Sequence, residues 1–338
     1  MPQYDVMTLS NGNASTHAAA ATARSIGAVI IGRNEGARLV ACLASIPAGV
    51  TPVIYVDSGS TDRSIEAART AGARVVSVDM SQPFTAARAR NAGLEELNRS
   101  GETAFVQFVD GDCTLQPGWI EAGLAAFQAY PKAAVICGRR RERHPESSVW
   151  NRLCDAEWDT PSGQAKACGG DALMRRGALA AVGGFNPALI AGEEPELCLR
   201  LRAEGWQVWR IPAEMTLHDA AMTRFSQWWK RSRRTGHAFA EGAAMHGSPP
   251  ERHWVAETRR AIVWGLALPL IALAGMLSTP WAALILLAYP LNALKLMYCY
   301  GPERGVFLLV GKLPEALGIL EYHVNRRRRR RTRLMEYK

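Results

Sequence analysis

Residues 105–115 read FVQFVDGDCTL, an apolar run that stops at two carboxylates flanking one glycine. A short apolar run bounded by turn residues predicts a buried strand. Asp110 and Asp112 would lie at the end of that strand, where Gly111 lets the backbone turn sharply and a ligand approach closely. Such carboxylate oxygens can bind a divalent cation. An acidic surface turn explains the stretch alone equally well.

The apolar segments around this stretch alternate with segments of helical period. The predicted strands are 26–31, 51–57, 73–79 and 103–112. Strands alternating with helices at this spacing predict βαβ units, a mainly parallel sheet and an α/β fold. Ligands of such sheets bind beyond the carboxyl ends of the strands. The polar residues expected at that edge are Arg33, Asn34, Glu35, Asp57, Asp110 and Asp112.

Further along, a strand is predicted at 133–138, before the basic RRRERH, and a helix is predicted to begin near Pro195. Glu193 and Glu194 stand at the start of that helix. Acidic residues stabilise helix N-termini through the dipole. Crowded carboxylates also have a raised pKa, which suits a general base near neutral pH. The residues alone leave capping and catalysis open, and a lone histidine such as His218 is more often a surface residue than a ligand.

The C-terminal third is dominated by two apolar segments, 261–277 and 281–298, in which only Lys295 is charged. They predict two membrane helices within 255–300, at the short end of what spans a bilayer. Two buried core helices are the alternative. The connection carries no Lys or Arg, which places both ends in the cytosol. The region 301–338 is expected to form an interfacial helix and a basic tail, with six consecutive arginines against anionic headgroups.

The net charge of +9 is concentrated in that tail, so the rest of the chain is close to neutral. A nearly neutral body argues against a nucleic-acid-binding face. The seven cysteines show no metal-finger spacing and predict reduced thiols. Residues 1–24 lack an apolar signal core and are expected to form a disordered tail. The expected location is therefore the cytoplasmic face of the inner (cell) membrane.

A series of motifs occurs in an order that resembles the family 2 glycosyltransferases. The motifs are VIIGRNEGARL, VIYVDSGSTDRS, ARARNAGLEE, FVDGDC, CGGDALMRRGALAAVGGF and GEEPELCLRLRAEGW, followed by His218. The resemblance covers residues 26–240. It implies a GT-A fold, Rossmann-like, with a mixed, mainly parallel sheet flanked by helices and a catalytic domain at 25–245. It further implies an inverting, membrane-associated enzyme of bacterial cell-envelope or exopolysaccharide biosynthesis.

The resemblance also implies roles for individual residues. Asp112 and His218 would hold Mn²⁺ or Mg²⁺. Glu194 would be the catalytic base with Glu193 as the alternative, since the family's usual Glu-Asp pair is here two glutamates. The implied donor-binding residues are Asn34, Glu35, Asp57, Arg88, Asn91 and Asp110. The implied acceptor loop consists of Gly169, Gly170 and Asp171.

The expected reaction moves one sugar from a UDP-, GDP- or dTDP-sugar to a hydroxyl of a glycan acceptor, which is expected to be lipid-linked. Processive polysaccharide synthases carry Gln-x-x-Arg-Trp where this chain reads QWWKR, which predicts a single transfer. One alternative is a polyprenyl-phosphate glycosyltransferase, whose ionised acceptor needs no base. Another is a non-catalytic nucleotide-binding α/β module, although no G-x-G-x-x-G follows the first strand.

Overall fold

The computed structural model describes residues 25–101 and 103–328. The predicted tail 1–24 and the end of the basic tail, 329–338, lie outside the described residues. The strands are β1 (Ile26–Gly32), β2 (Val50–Asp57), β3 (Arg74–Ser77), β4 (Phe105–Asp110), β5 (Cys113–Leu115), β6 (Ala133–Glu142), β7 (Gly163–Ala165), β8 (Ala172–Arg175) and β9 (Gln207–His218). The helices are α1 (Ala37–Ala44), α2 (Ser64–Thr70), α3 (Ala86–Arg99), α4 (Trp119–Ala129), α5 (Val149–Trp158), α6 (Arg176–Ala181), α7 (Glu193–Ala203), α8 (Phe225–His246), α9 (Val255–Met276), α10 (Pro280–Tyr300), α11 (Pro302–Val310) and α12 (Lys312–Arg327).

The described strands form one sheet in the order β3-β2-β1-β4-β8-β6-β9-β5, and β7 pairs with β9. β1 is parallel to both β2 and β4, and β3 is parallel to β2. β8 runs antiparallel to β4 and β6, whereas β9 is parallel to β6. Val29, Ile30, Val106 and Phe108 are buried in the two central strands, as expected where helices cover both faces of a sheet. The predicted α/β fold, with its first four strands, is confirmed.

Two of the boundaries that differ from the prediction bear on the site. β6 continues through the basic residues to Glu142, where the prediction stopped at Gly138. β6 remains paired with β9 through these residues. Arg139 also forms an ion pair with Asp155 at 3.3 Å. The helix expected from Pro195 begins at Glu193, because the preceding Gly192 adopts a positive φ of 81° that turns the chain into it.

Among the described residues, α9 and α10 are long and apolar enough to cross a membrane. Their side chains are largely exposed, with Leu273 at 57% and Tyr298 at 92%, so the alternative of two buried core helices is wrong. The following segment, predicted as one interfacial helix, forms two helices, and α12 packs against α8. The backbones of Gly318 and Arg233 meet so closely there that a Cβ on Gly318 would collide with the Arg233 carbonyl.

Candidate active site

A cavity of about 1130 Å³ opens at the carboxyl edge of the sheet. It is lined by the turn after β1, the residues after β4, the loop before β8, the start of α7 and one face of α8. The parallel register places Asp110 beside Ile31 and Asp57 beside Gly32. The polar residues that follow these strands therefore share one edge, as the sequence predicted.

Strand register brings His218 to Asp112. β5 runs antiparallel to the end of β9, so that Cys113 lies opposite His218, while β6 places Glu142 on the other side of the histidine. His218 Nε2 lies 3.3 Å from Asp112 Oδ2, and Nδ1 lies 3.7 Å from Glu142 Oε2. The two predicted metal ligands are thus neighbours, with a second carboxylate behind the imidazole.

The chemistry of this cluster fits a divalent cation. Asp112, Cys113 and His218 present potential ligand atoms within 4.8 Å of one another. Burial and the charge of Arg140 lower the pKa of His218, and its buried Nδ1 hydrogen-bonds to no described residue. The lowered pKa favours the neutral imidazole near pH 7, the form that metal binding requires. Burial raises the pKa of the Cys113 thiol, so the sulfur stays protonated. A carboxylate with an imidazole suits Mn²⁺ better than Mg²⁺, which prefers oxygen ligands.

Asp110 is engaged by two arginines. Its Oδ1 lies 2.8 Å from Arg90 Nη2, and its Oδ2 lies 3.1 Å from Arg140 Nη2. Burial opposes ionisation, but these two charges hold the pKa of Asp110 well below its usual value. Its backbone N–H donates to Asp171 Oδ1 at 2.9 Å, and Asp171 Oδ2 accepts from Thr216 at 2.8 Å. Asp171 therefore supports the strand end, and it lines the cavity together with Gly169 and Gly170.

Arg90 connects the acidic strand end to the start of α7. This arginine is 2% exposed. Its Nη1 lies 2.6 Å from Glu193 Oε1, and its Nη2 lies 3.7 Å from Glu194 Oε1. Glu193 is consequently held in a short ion pair, whereas Glu194 has only a distant one.

Glu194 has the properties of a base that works near neutral pH. Burial and the neighbouring charge of Glu193 raise the pKa of Glu194 to about 7, against the opposing effect of Arg90. Its side chain is 16% exposed and lines the cavity. A carboxyl with this pKa exchanges a proton readily at pH 7, so Glu194 is the better candidate of the two.

The predicted donor-binding residues after β1 line the cavity, whereas the one at the end of β2 is buried. Asn34 and Glu35 line the cavity, and Asn34 Oδ1 accepts from the backbone N–H of Thr61 at 2.7 Å. Asp57 is buried, and its Oδ2 accepts two hydrogen bonds from backbone N–H groups of the following turn. Asp57 therefore shapes the loop after β2, and its predicted contact with the nucleotide stays a prediction.

Arg88 and Asn91 are absent from the lining of the cavity, and their role in donor binding stays a prediction. The Arg88 guanidinium donates to the carbonyls of Asp79, Gln82 and Pro83. Asn91 exchanges two hydrogen bonds with the backbone of Phe185. Both residues fix loops that flank α3.

The glycines of the predicted acceptor loop do reach the cavity. A Cβ on Gly170 would lie 2.7 Å from Asp110 Oδ2, so only glycine lets this loop approach the strand end. The Gly170 carbonyl accepts a hydrogen bond from Arg90 at 3.3 Å. Gly169 has a φ of 90°, a conformation that favours glycine.

Sequence reasoning missed Arg90, Arg140 and Glu142. Arg90 shares its helix face with the buried Leu94 and Leu97, at the spacing that marks a core-facing stripe. From that spacing, the burial of Arg90 could have been predicted from the sequence. Arg140 and Glu142 stand in a charged run without apolar alternation, and only the long pairing of β6 with β9 shows their orientation.

Comparison with known proteins agrees with this architecture. Residues 28–181 match the model of the family described as glycosyl transferase family 2. Two curated relatives named pre-mycofactocin glycosyltransferase, from Mycobacterium tuberculosis strains CDC 1551 / Oshkosh and ATCC 25618 / H37Rv, are 28% identical over 239 residues. The match covers 66% of this chain, and the chain spans about half (48%) of each relative. The solved mannosyltransferase PcManGT from Pyrobaculum calidifontis, in complex with GDP-Man and Mn²⁺, has a TM-score of 0.60 at 20% identity, covering 87% of this chain and 86% of that one. The likeness to that structure shows the fold.

Proposed function

We propose, from the match of residues 28–181 to glycosyl transferase family 2 and from the GT-A fold, that this chain moves one sugar from a nucleotide-sugar donor to a hydroxyl of a lipid-linked glycan. The observation that supports the proposal best is the unequal ion pairing of Arg90 with the carboxylates around it. Glu193 and Asp110 are ion-paired with it, which leaves Glu194 with a pKa of about 7 in the cavity that also contains Asp112 and His218. The nucleotide-sugar and Mn²⁺ bound by the solved mannosyltransferase support the choice of ligands.

The residues of the cavity divide the reaction between them. A divalent cation held by Asp112 and His218 would neutralise the charge of the departing nucleoside diphosphate. Glu194 takes the proton of the acceptor hydroxyl as that oxygen attacks the anomeric carbon. Asn34 and Glu35 line the donor end. Asp110 is held by Arg90 and Arg140 and is not poised as a nucleophile, which supports a single displacement with inversion.

We place the enzyme at the cytoplasmic face of the cell membrane. Only 17% and 0% of the most apolar windows of α9 and α10 are buried within the protein, which leaves exposed apolar surface of the kind that lipid covers. The absence of Lys and Arg between the two helices supports cytosolic ends. The acceptor is accordingly proposed to be anchored in the same membrane.

Donor hydrolysis by the purified full chain tests the proposal. The UDP-, GDP- and dTDP-sugars are each incubated with Mn²⁺, and the nucleoside diphosphate released is measured for the wild type and Asp112→Ala. One donor class should be hydrolysed by the wild type and spared by the variant. Equal hydrolysis by Asp112→Ala would overturn the metal assignment, and no release from any donor would overturn the proposed reaction.

A further inference from the structure

We infer that the α8 wall of the cavity, formed by Arg231, Arg234 and Thr235, binds a phosphate or diphosphate group of the acceptor. The inference rests on the proposed function and deepens it, because it names the anionic group through which the acceptor is recognised. The transferred sugar would go to a hydroxyl of the same acceptor, at Glu194.

The size and charge of the cavity lead to this inference. Its volume of about 1130 Å³ exceeds the range of about 300–1,000 Å³ usual for one small ligand. Near the strand ends, Asp110 is already paired with Arg90 and Arg140, and α8 contributes two further arginines to the lining. The proposed donor and metal would occupy the strand ends, so we assign the α8 arginines to the second substrate.

One face of α8 forms this wall. Arg231, Arg234, Thr235 and Ala238 line the cavity, at the three- and four-residue spacing that puts side chains on one helix face. Both Arg231 amino groups lie 2.8 Å from the carboxylate oxygens of Glu157 on α5. That bidentate pair fixes the position of the Arg231 guanidinium before any ligand arrives, which reduces the entropic cost of binding.

The surroundings of Glu157 show that positive charge prevails at this wall. Partial desolvation opposes ionisation of this half-exposed carboxyl, yet Arg231, Arg304 and Arg140 together hold its pKa below the usual value. One carboxylate thus faces several guanidinium groups. Arginine forks match phosphate oxygens in geometry as well as in charge.

The wall also lies beside the proposed membrane anchor. Trp228, at the start of α8, packs against Phe307 of α11 with ring centroids 5.3 Å apart, and Trp150 lies 4.8 Å from the same ring. Because α11 directly follows α10, the α8 wall stands next to the point where the apolar helices rejoin the catalytic domain. A phosphate attached to a membrane-anchored lipid would lie at that depth.

Binding of farnesyl diphosphate to the full chain in neutral detergent micelles tests the inference. Mn²⁺ and a nucleoside diphosphate are present at saturation, so that the donor site is filled. The wild type should bind farnesyl diphosphate and not farnesol, and Arg231→Gln and Arg234→Gln should each weaken binding about tenfold or more. Arg233→Gln is the matched control, because Arg233 lies on the opposite face and pairs with Glu321 of α12 at 2.8 Å. It should bind as the wild type does.

Unchanged affinity in both cavity variants would overturn the inference. So would equal competition by phosphatidylglycerol, which would indicate a general headgroup site. Thermal melting of each variant separates a binding defect from a folding defect. Mn²⁺-dependent binding of the nucleoside diphosphate is measured in the same samples. If the wild type does not bind the nucleoside diphosphate, the proposed function is overturned. If it binds the nucleoside diphosphate but not farnesyl diphosphate, this inference alone is overturned.

Discussion

Arg90 Nη1 lies 2.6 Å from Glu193 Oε1, and Arg90 Nη2 lies 2.8 Å from Asp110 Oδ1. One buried guanidinium therefore ties the helix that carries the proposed base to the strand that carries the acidic motif. The adjacent Glu194 pairs with the same guanidinium only at 3.7 Å. This asymmetry distinguishes two neighbouring glutamates that the sequence alone could not separate.

Glu194→Gln should lower kcat by about 10²–10⁴-fold, the usual contribution of a positioned general base. The amide keeps the shape of the side chain and cannot accept the proton. Binding of the nucleoside diphosphate with Mn²⁺ should stay unchanged, which separates lost chemistry from lost structure. Full turnover by this variant would instead favour the polyprenyl-phosphate alternative, whose acceptor is already ionised.

The pH profile of the wild type should show the titration of the same group. Glu194 must be ionised to act as a base, and its pKa is raised to about 7. The value of kcat/KM should therefore rise about tenfold per pH unit below pH 7 and level off above it. Since the charge of Arg90 lowers this pKa, Arg90→Met should move the rising limb to higher pH. A profile that is flat between pH 5.5 and 8 would contradict the assignment.

Arg90→Met should destabilise the fold severely. Removal of one partner from a buried ion pair costs about 3–5 kcal/mol, because the remaining charges of Glu193 and Asp110 lose their compensation. The free energy of unfolding, from denaturant titration followed by tryptophan fluorescence, measures the loss. Arg63→Met is the control, since Arg63 forms an exposed pair with Glu66, and it should unfold almost as the wild type does. Similar unfolding of the two variants would show that Arg90 is not a structural centre.

The strands and the shared ligand edge could be predicted because alternating apolar and helical segments dictate a parallel sheet. The side chains of α3 could not be sorted in the same way. Arg88 and Arg90 are two positions apart, and the resemblance pointed to Arg88, whereas Arg90 is the one that faces Asp110. The buried face of α3 distinguishes the two arginines, because an arginine on that face needs acidic partners within the core.

His218 illustrates a second limit of the sequence. Its proximity to Asp112 depends on the antiparallel pairing of β5 with β9, a contact between segments about a hundred residues apart that no local pattern encodes. The resemblance supplied this pairing where periodicity could not. Glu142, behind the imidazole, follows from the same register and had no separate signal in the sequence.

The apolar helices should hold the full chain on lipid vesicles even at high salt. A charge on the exposed surface of these helices should weaken their insertion into the membrane, since inserting Asp at the centre of a membrane helix costs about 2.5–3.5 kcal/mol. Ile271→Asp, at a position 56% exposed on α9, should reduce co-flotation with vesicles. Val40→Asp introduces the same charge at a position 52% exposed on α1 and should float as the wild type does. Equal flotation of both variants would argue against insertion of α9.

The most direct test of the account is the affinity for the nucleoside diphosphate, measured by calorimetry with Mn²⁺, with Mg²⁺ and with a chelator. We predict that the chelator weakens binding to the wild type about 100-fold, and that Asp112→Ala is equally weak even with Mn²⁺ present. His218→Ala should lose most of the preference for Mn²⁺ over Mg²⁺, while Glu214→Ala, which removes an exposed carboxylate paired with Arg141, should bind normally. Metal-independent binding that Asp112→Ala leaves intact would contradict the assignment of this edge of the sheet as the metal and diphosphate site.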